Sequence, residues 1–122
     1  MSIRILLVDD HELIRKGLRA LIELQSDMQV VGEAREGQTA LRLAKELSPD
    51  LVITNMNMPD WDGIEVTRRI VSELPDVKVI VLSFTDEKPI REASLRAGAS
   101  AYVPKTGPVE DLLAAIRAAV RK

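Results

Sequence analysis

Five polar residues stand where apolar runs stop, and their types suggest one chemistry. Asp9 and Asp10 follow the run Ile3–Val8, and Asn55 follows Leu51–Thr54. Ser83 follows Val77–Leu82, and Lys105 comes soon after Ala101–Val103. Two adjacent carboxylates suit a hard divalent cation such as Mg²⁺, which takes one or two carboxylates plus water and phosphate oxygens. A lysine ammonium and a hydroxyl can hold the remaining oxygens of a phosphoryl group. A nucleophile belongs at the centre of such a cluster, and an aspartate there could form an acyl phosphate. An asparagine could not.

For these residues to meet, the elements between them must fold in a particular way. The apolar runs are short and rich in Val, Ile and Leu, which predicts strands buried on both faces. The stretches between them carry helical spacing. Ile14, Leu18, Leu21 and Ile22 mark a helix from His11 to about Leu24. Met28 to Val31 predicts a second strand ending near Gly32, and Ala40, Leu43, Ala44 and Leu47 a helix stopped by Ser48-Pro49. Ile64, Ile70 and Val71 mark a third helix, and Ile90, Ala93 and Ala97 a fourth closed by Gly98. Val109, Leu112, Leu113, Ile116 and Val120 mark the last.

Five strand–helix alternations imply a parallel sheet covered on both faces. Right-handed crossovers put two helices on one face and three on the other. The expected fold is α/β, a flavodoxin-like (βα)5 three-layer sandwich with strand order 2-1-3-4-5. Ligands of such sheets bind outside the carboxyl ends of the strands, at the switch in strand order. Here that lies between the first and third strands, at Asp9, Asp10 and Asn55.

The 122 residues fit one domain, expected over 1–122. Aromatic residues make up only 2 %, so the core must rest on aliphatic side chains. A formal charge of -2 gives no electrostatic reason for nucleic-acid contact by this chain. The absence of cysteine excludes disulfides and thiolate metal sites. No apolar stretch approaches the ~20 residues of a membrane span, and the start does not read as a signal peptide, so a cytoplasmic location without membrane contact is expected.

The whole pattern resembles the receiver domain of two-component response regulators. Leu7-Val8-Asp9-Asp10-His11 is similar to its acidic pair, and Pro49 to Ile53 with Met58-Pro59 and Asp62-Gly63 to its phosphoacceptor segment. Asp9-Asp10-His11-Glu12 and Val30-Val31-Gly32-Glu33-Ala34 resemble the subfamily with a C-terminal LuxR-type helix-turn-helix output domain. The resemblance implies a switch module rather than an enzyme, with no catalytic residue of its own. Asp10 and Asp9 would hold Mg²⁺ with the side chain at position 55 and the backbone carbonyl of Asn57. Ser83 and Lys105 would contact the phosphoryl group, and Ser83 with Tyr102 would form the switch. The implied partners are a sensor histidine kinase and a DNA-binding output domain, expected beyond Lys122 and absent from this chain. Self-association as a homodimer is a further expectation.

Two positions depart from the pattern. Pro104 precedes Lys105, whereas proline often follows the lysine in this family. More consequentially, Asn55 stands at the phosphorylated aspartate. Asn55 admits three readings: a deliberate block of phosphorylation, a natural pseudo-receiver serving as an interaction or dimerisation module, or a chemical change or error. The first is favoured because the neighbouring acids and lysine remain. A neutral amide is also expected to weaken Mg²⁺ binding. A small phosphatase is disfavoured, because it needs an aspartate nucleophile and a covering cap. His11 is expected to be a solvated first-turn residue, with Asp10 able to cap that helix.

Overall fold

The computed structural model describes residues 2–121. Its elements alternate without interruption: β1 (Ile3–Val8), α1 (Glu12–Glu23), β2 (Met28–Ala34), α2 (Gly37–Leu47), β3 (Leu51–Asn55), α3 (Gly63–Glu73), β4 (Lys78–Ser83), α4 (Lys88–Arg96), β5 (Ala101–Pro104) and α5 (Val109–Val120). All strand pairs are parallel, in the order β2-β1-β3-β4-β5. This is the expected flavodoxin-like arrangement.

The period-2 alternation of each strand sorts its side chains onto two cores. Ile5, Leu7, Ile53 and Ile80 meet Ile22 of α1 and Leu112 and Ile116 of α5. Leu6, Val8, Val52 and Val79 meet Ala40 and Ala44 of α2 and Val66 and Ile70 of α3. On that second face, Ile90 of α4 packs against Met56, Val81 and Tyr102. Two helices therefore cover one face and three the other. Each fully buried Leu, Ile or Val contributes roughly 1.5–3 kcal/mol. With so few aromatics, these aliphatics hold the sheet. No helix among the described residues is long and apolar enough to cross a membrane.

One element runs longer than its pattern predicts. Gly32 was expected to end the second strand, yet pairing continues to Ala34. The register steps from Ile5↔Val30 to Leu6↔Gly32, so Val31 is a bulge. Gly32 is needed for close approach instead. A Cβ there would lie 2.8 Å from Leu47 Cδ1 and 3.2 Å from Leu6 Cδ1. The extension matters for the site, because the carbonyl of Ala34 accepts from the Asp9 amide at 3.0 Å. Helix ends follow their signals: Ser48 adopts a left-handed φ of 47° after α2, and Gly98, at φ 114°, follows α4.

Candidate functional site

Strand register gathers the polar residues. Val8 pairs with Thr54, so Asp9 and Asn55 are the next residues of neighbouring strands. Asn55 pairs with Leu82, and Ser83 with Pro104, so Ser83 and Lys105 step outward along the same edge. The ladder continues past the strands, with Met56 N donating to Leu82 O at 2.8 Å and Lys105 N to Ser83 O at 2.6 Å.

Asp9 is 2 % exposed and fully engaged. Lys105 Nζ lies 3.2 Å from its Oδ2, and both side chains are buried. The same ammonium sits 4.5 Å over the ring of Phe84. Oδ1 of Asp9 accepts from the backbone N–H of His11 at 2.9 Å, and the His11 ring nitrogen Nδ1 lies 3.2 Å from it. Asp10 is not the cap of α1: residue 11 is the N-cap, its own side chain caps nothing, and Asp9 accepts that residue's amide. His11 is more than a solvated residue. Its ring is 59 % exposed, yet Nδ1 sits 3.2 Å from both Asp9 Oδ1 and Asp10 Oδ1.

Asp10 Oδ1 is sealed from solvent and accepts no hydrogen bond among the described residues. A buried orphan carboxylate oxygen is costly unless something neutralises it. Asp9, Asp10 and His11 could converge on a cation, their ligand atoms lying within 4.8 Å of one another. Two hard carboxylates fit Mg²⁺ by donor chemistry. The Asn57 carbonyl, the further ligand that the resemblance implies, already has a partner. Asn55 is 4 % exposed, and its Nδ2 donates to Asn57 O at 2.7 Å. The amide orientation follows from the partner, since a carbonyl can only accept.

Ser83 Oγ accepts from the Thr85 amide at 3.2 Å and lies 3.3 Å from Thr85 Oγ1. The Tyr102 hydroxyl donates to Thr85 O at 2.7 Å, and Tyr102 is 4 % exposed. Arg91 of α4 stacks its guanidinium 5.1 Å from the Tyr102 ring centre and pairs with Asp86. Ser83 and Tyr102 therefore converge on one residue, Thr85, in the loop before α4.

Residues 5–117 match the response regulator receiver domain. The chain belongs to that family. It is 48 % identical over 118 residues to the transcriptional regulatory protein LiaR of Bacillus subtilis (strain 168), covering 96 % of this chain and 56 % of LiaR. This receiver thus spans little more than half the length of such relatives. Among solved structures, a LuxR-family two-component response regulator from an Aurantimonas species superposes with a TM-score of 0.94 at 35 % identity, covering 98 % of this chain and 86 % of that one. The signal receiver domain of the response regulator NarL from Mycobacterium tuberculosis gives 0.87 at 31 % identity, covering 95 % and 97 %.

Within this receiver, the residues singled out by sequence all reach one edge, with Tyr102 one step behind it. Sequence reasoning missed three supporting groups. Arg15 of α1 is buried, and its Nη1 donates to Asp9 O at 2.6 Å while Nε donates to Glu33 at 3.0 Å. Burial pushes the Glu33 carboxyl up, but Arg19 and Arg15 outweigh it and hold the group below its ordinary value. Asp60 accepts from the Gly37 and Gln38 amides at 2.8 and 2.9 Å. Burial raises its carboxyl too, and these backbone donors more than reverse that. Thr85 is the third. The α1–α5 face carries an apolar hollow of ≈ 300 Å³ lined by Ile14, Leu18, Leu21 and Leu112, with Phe84 and Lys105 also in its walls; the paired acids are not.

Proposed function

We propose that this chain is the receiver of a two-component transcriptional regulator and that Asn55 holds it in the unphosphorylated state. The observation that carries this reading is the edge itself: Asp9 follows β1 beside position 55 of β3, Lys105 Nζ lies 3.2 Å from Asp9, and the side chain at position 55 is a hydrogen-bond donor to Asn57 O. In the parent protein, a sensor histidine kinase would supply the phosphoryl group, and a C-terminal DNA-binding domain would read the change. The names of its relatives, a transcriptional regulatory protein and a LuxR-family regulator, support that assignment. The receiver itself makes no nucleic-acid contact, and homodimer formation is part of the proposed output.

Asp10 and Asp9 would hold Mg²⁺ with the Asn57 carbonyl, and the ion would neutralise phosphoryl oxygens. Lys105 and Ser83 would face the phosphoryl group. Lys105 already spans from Asp9 to the sheet edge, so phosphorylation would ask it to exchange one anion for another. Ser83 and Tyr102 both bond the segment at Thr85, so a phosphoryl group that drew Ser83 Oγ away would free that segment. Such a two-state element, biased by a local charge, is how a receiver signals. Asn55 weakens Mg²⁺ in two ways: it contributes no charge, and its amide competes for Asn57 O.

Incubation with acetyl phosphate and Mg²⁺, read by intact mass, tests the proposal. The chain should gain no phosphate, and Asn55→Asp should gain one; an adduct on the Asn form, or none on the Asp form, refutes it. The Asn55–Asn57 bond also favours a second reading, a natural pseudo-receiver whose pocket is satisfied without phosphate. A parent protein that carries Asn55 in its gene and drives transcription without its kinase would establish that reading.

A further inference from the structure

The loop between β3 and α3 carries Asn57, and its two ends are held in different ways. The inner end closes tightly on β3. Gly63 N donates to Met56 O at 2.7 Å, and a Cβ on Gly63 would lie 2.9 Å from Asn55 O. Asp62 caps α3 by accepting from Glu65 N at 2.8 Å. The outer half, residues 57–60, is mostly exposed, with Met58 partly buried against the core. Its polar tie to the fold is Asp60. Its two carboxylate oxygens each take one N–H from the first turn of α2, a helix whose own N-cap residue, Glu36, caps no backbone N–H with its side chain. Those are two of the donors that a helix start leaves without partners. Trp61 adds packing: a Cβ on Gly37 would lie 2.8 Å from Trp61 Cβ, and Arg69 covers the indole at 4.5 Å.

We propose that Asp60 is a positioning residue of the cation pocket, which fixes the Asn57 carbonyl by capping α2 from across the loop. This inference rests on the pocket reading above. The physical link is short. Asn57 is three residues from Asp60, and its carbonyl has one described partner, the Asn55 amide. Helix α2 is a firm anchor, since Ala40 and Ala44 are fully buried against β1 and its neighbours. With Asp60 bonded to it, the segment 57–59 is held at both ends, and Met58 packs its middle against the core under α2 and α3. Without that bond, the β3 end and the packing of Met58 and Trp61 remain, and the Asn57 carbonyl loses the one polar tie from the loop to α2.

Two readouts on the full chain test this. One is the exchange rate of the Asn55 side-chain amide protons by NMR, which needs no metal. The other is the Mg²⁺ dissociation constant, from broadening by Mn²⁺ in competition with Mg²⁺. Asp60→Ala should speed the Asn55 exchange about tenfold and weaken Mg²⁺ by about tenfold, as loss of an outer-shell support does. Asp60→Asn, which keeps one of the two acceptors and sets an NH2 against the other N–H, should fall between the parent and Asp60→Ala in both. Asp60→Glu, one methylene longer, should behave like Asp60→Ala and substitutes for it should Asp60→Ala not fold. Ile116→Val, on the opposite face, should change neither readout. Asp60→Ala values within twofold of the parent, or an equal effect of Ile116→Val, overturn the inference. If Asp10→Ala leaves Mg²⁺ binding intact, the pocket reading fails instead, and the metal-free exchange rate still decides the role of Asp60.

Discussion

Changing Asn55 to aspartate should destabilise the metal-free protein while restoring its chemistry. The amide of Asn55 donates to Asn57 O at 2.7 Å from a side chain that is 4 % exposed. A carboxylate placed there donates nothing and turns an oxygen toward an oxygen. Losing such a bond and leaving its acceptor short of a partner costs about 1–3 kcal/mol. Asn57 is itself exposed, so water recovers part of that and the lower half of the range applies. The new charge also joins Asp9 and Asp10, with Lys105 at 3.2 Å from Asp9 offsetting one of the acids. The net expectation is about 2 kcal/mol. At roughly 4 °C per kcal/mol for this size, Tm should fall by about 8 °C. At a urea slope of roughly 2 kcal/mol/M, the midpoint should fall by about 1 M. Saturating Mg²⁺ should reverse this, since a ligand at 100 times its Kd adds about 2.7 kcal/mol. The assay is urea unfolding followed by Trp61 fluorescence, with EDTA and with Mg²⁺. An equal or higher midpoint for the Asp form in EDTA refutes the reasoning.

Two more outcomes follow from the supporting groups. Glu33 and Asp60 are both held below their ordinary values in the folded chain, so the native state binds fewer protons than the unfolded one. Their stabilisation is present above the unfolded values, near pH 4, and is lost as pH falls through the lower folded values. Urea midpoints should therefore drop steeply below about pH 4, and the double variant Glu33→Gln with Asp60→Asn should show a shallower decline; an unchanged slope contradicts it. Arg15→Met should cost about 2 kcal/mol, because it strips the donor from the Asp9 carbonyl and one cation from Glu33. A midpoint change equivalent to under ~0.5 kcal/mol would falsify that role.

Much of this molecule can be read from apolar spacing alone. Runs such as Leu51–Thr54 and Val77–Leu82 leave little choice but buried parallel strands, and the topology then brings Asp9, Asn55, Ser83 and Lys105 to one edge. The extension of β2 was hidden because Gly32 looks like a stop; only the packing of Leu47 and Leu6 reveals why a glycine is there. Arg15 was hidden because an arginine on an amphipathic helix normally faces water, and only the lengthened strand brings Glu33 within its reach. The bonds from Asp60 to α2 cross 23 residues and leave no periodic trace. Asp10 is a cap residue by type, yet α1 starts one residue later with His11 as its N-cap, and residue types do not encode a helix end to within one position.

The pairing of Lys105 with Asp9 joins positions 96 residues apart. Asp9 is among the first residues a ribosome would release, and Lys105 follows nearly the whole domain. Contacts of such separation are made late, after the intervening chain has paid its closure entropy. The pocket therefore exists only when the fifth strand has docked. A partly synthesised or locally opened chain has the acids but not the ammonium that pairs with Asp9. The electrostatic balance of this edge and the docking of the last strand are, in this architecture, a single event.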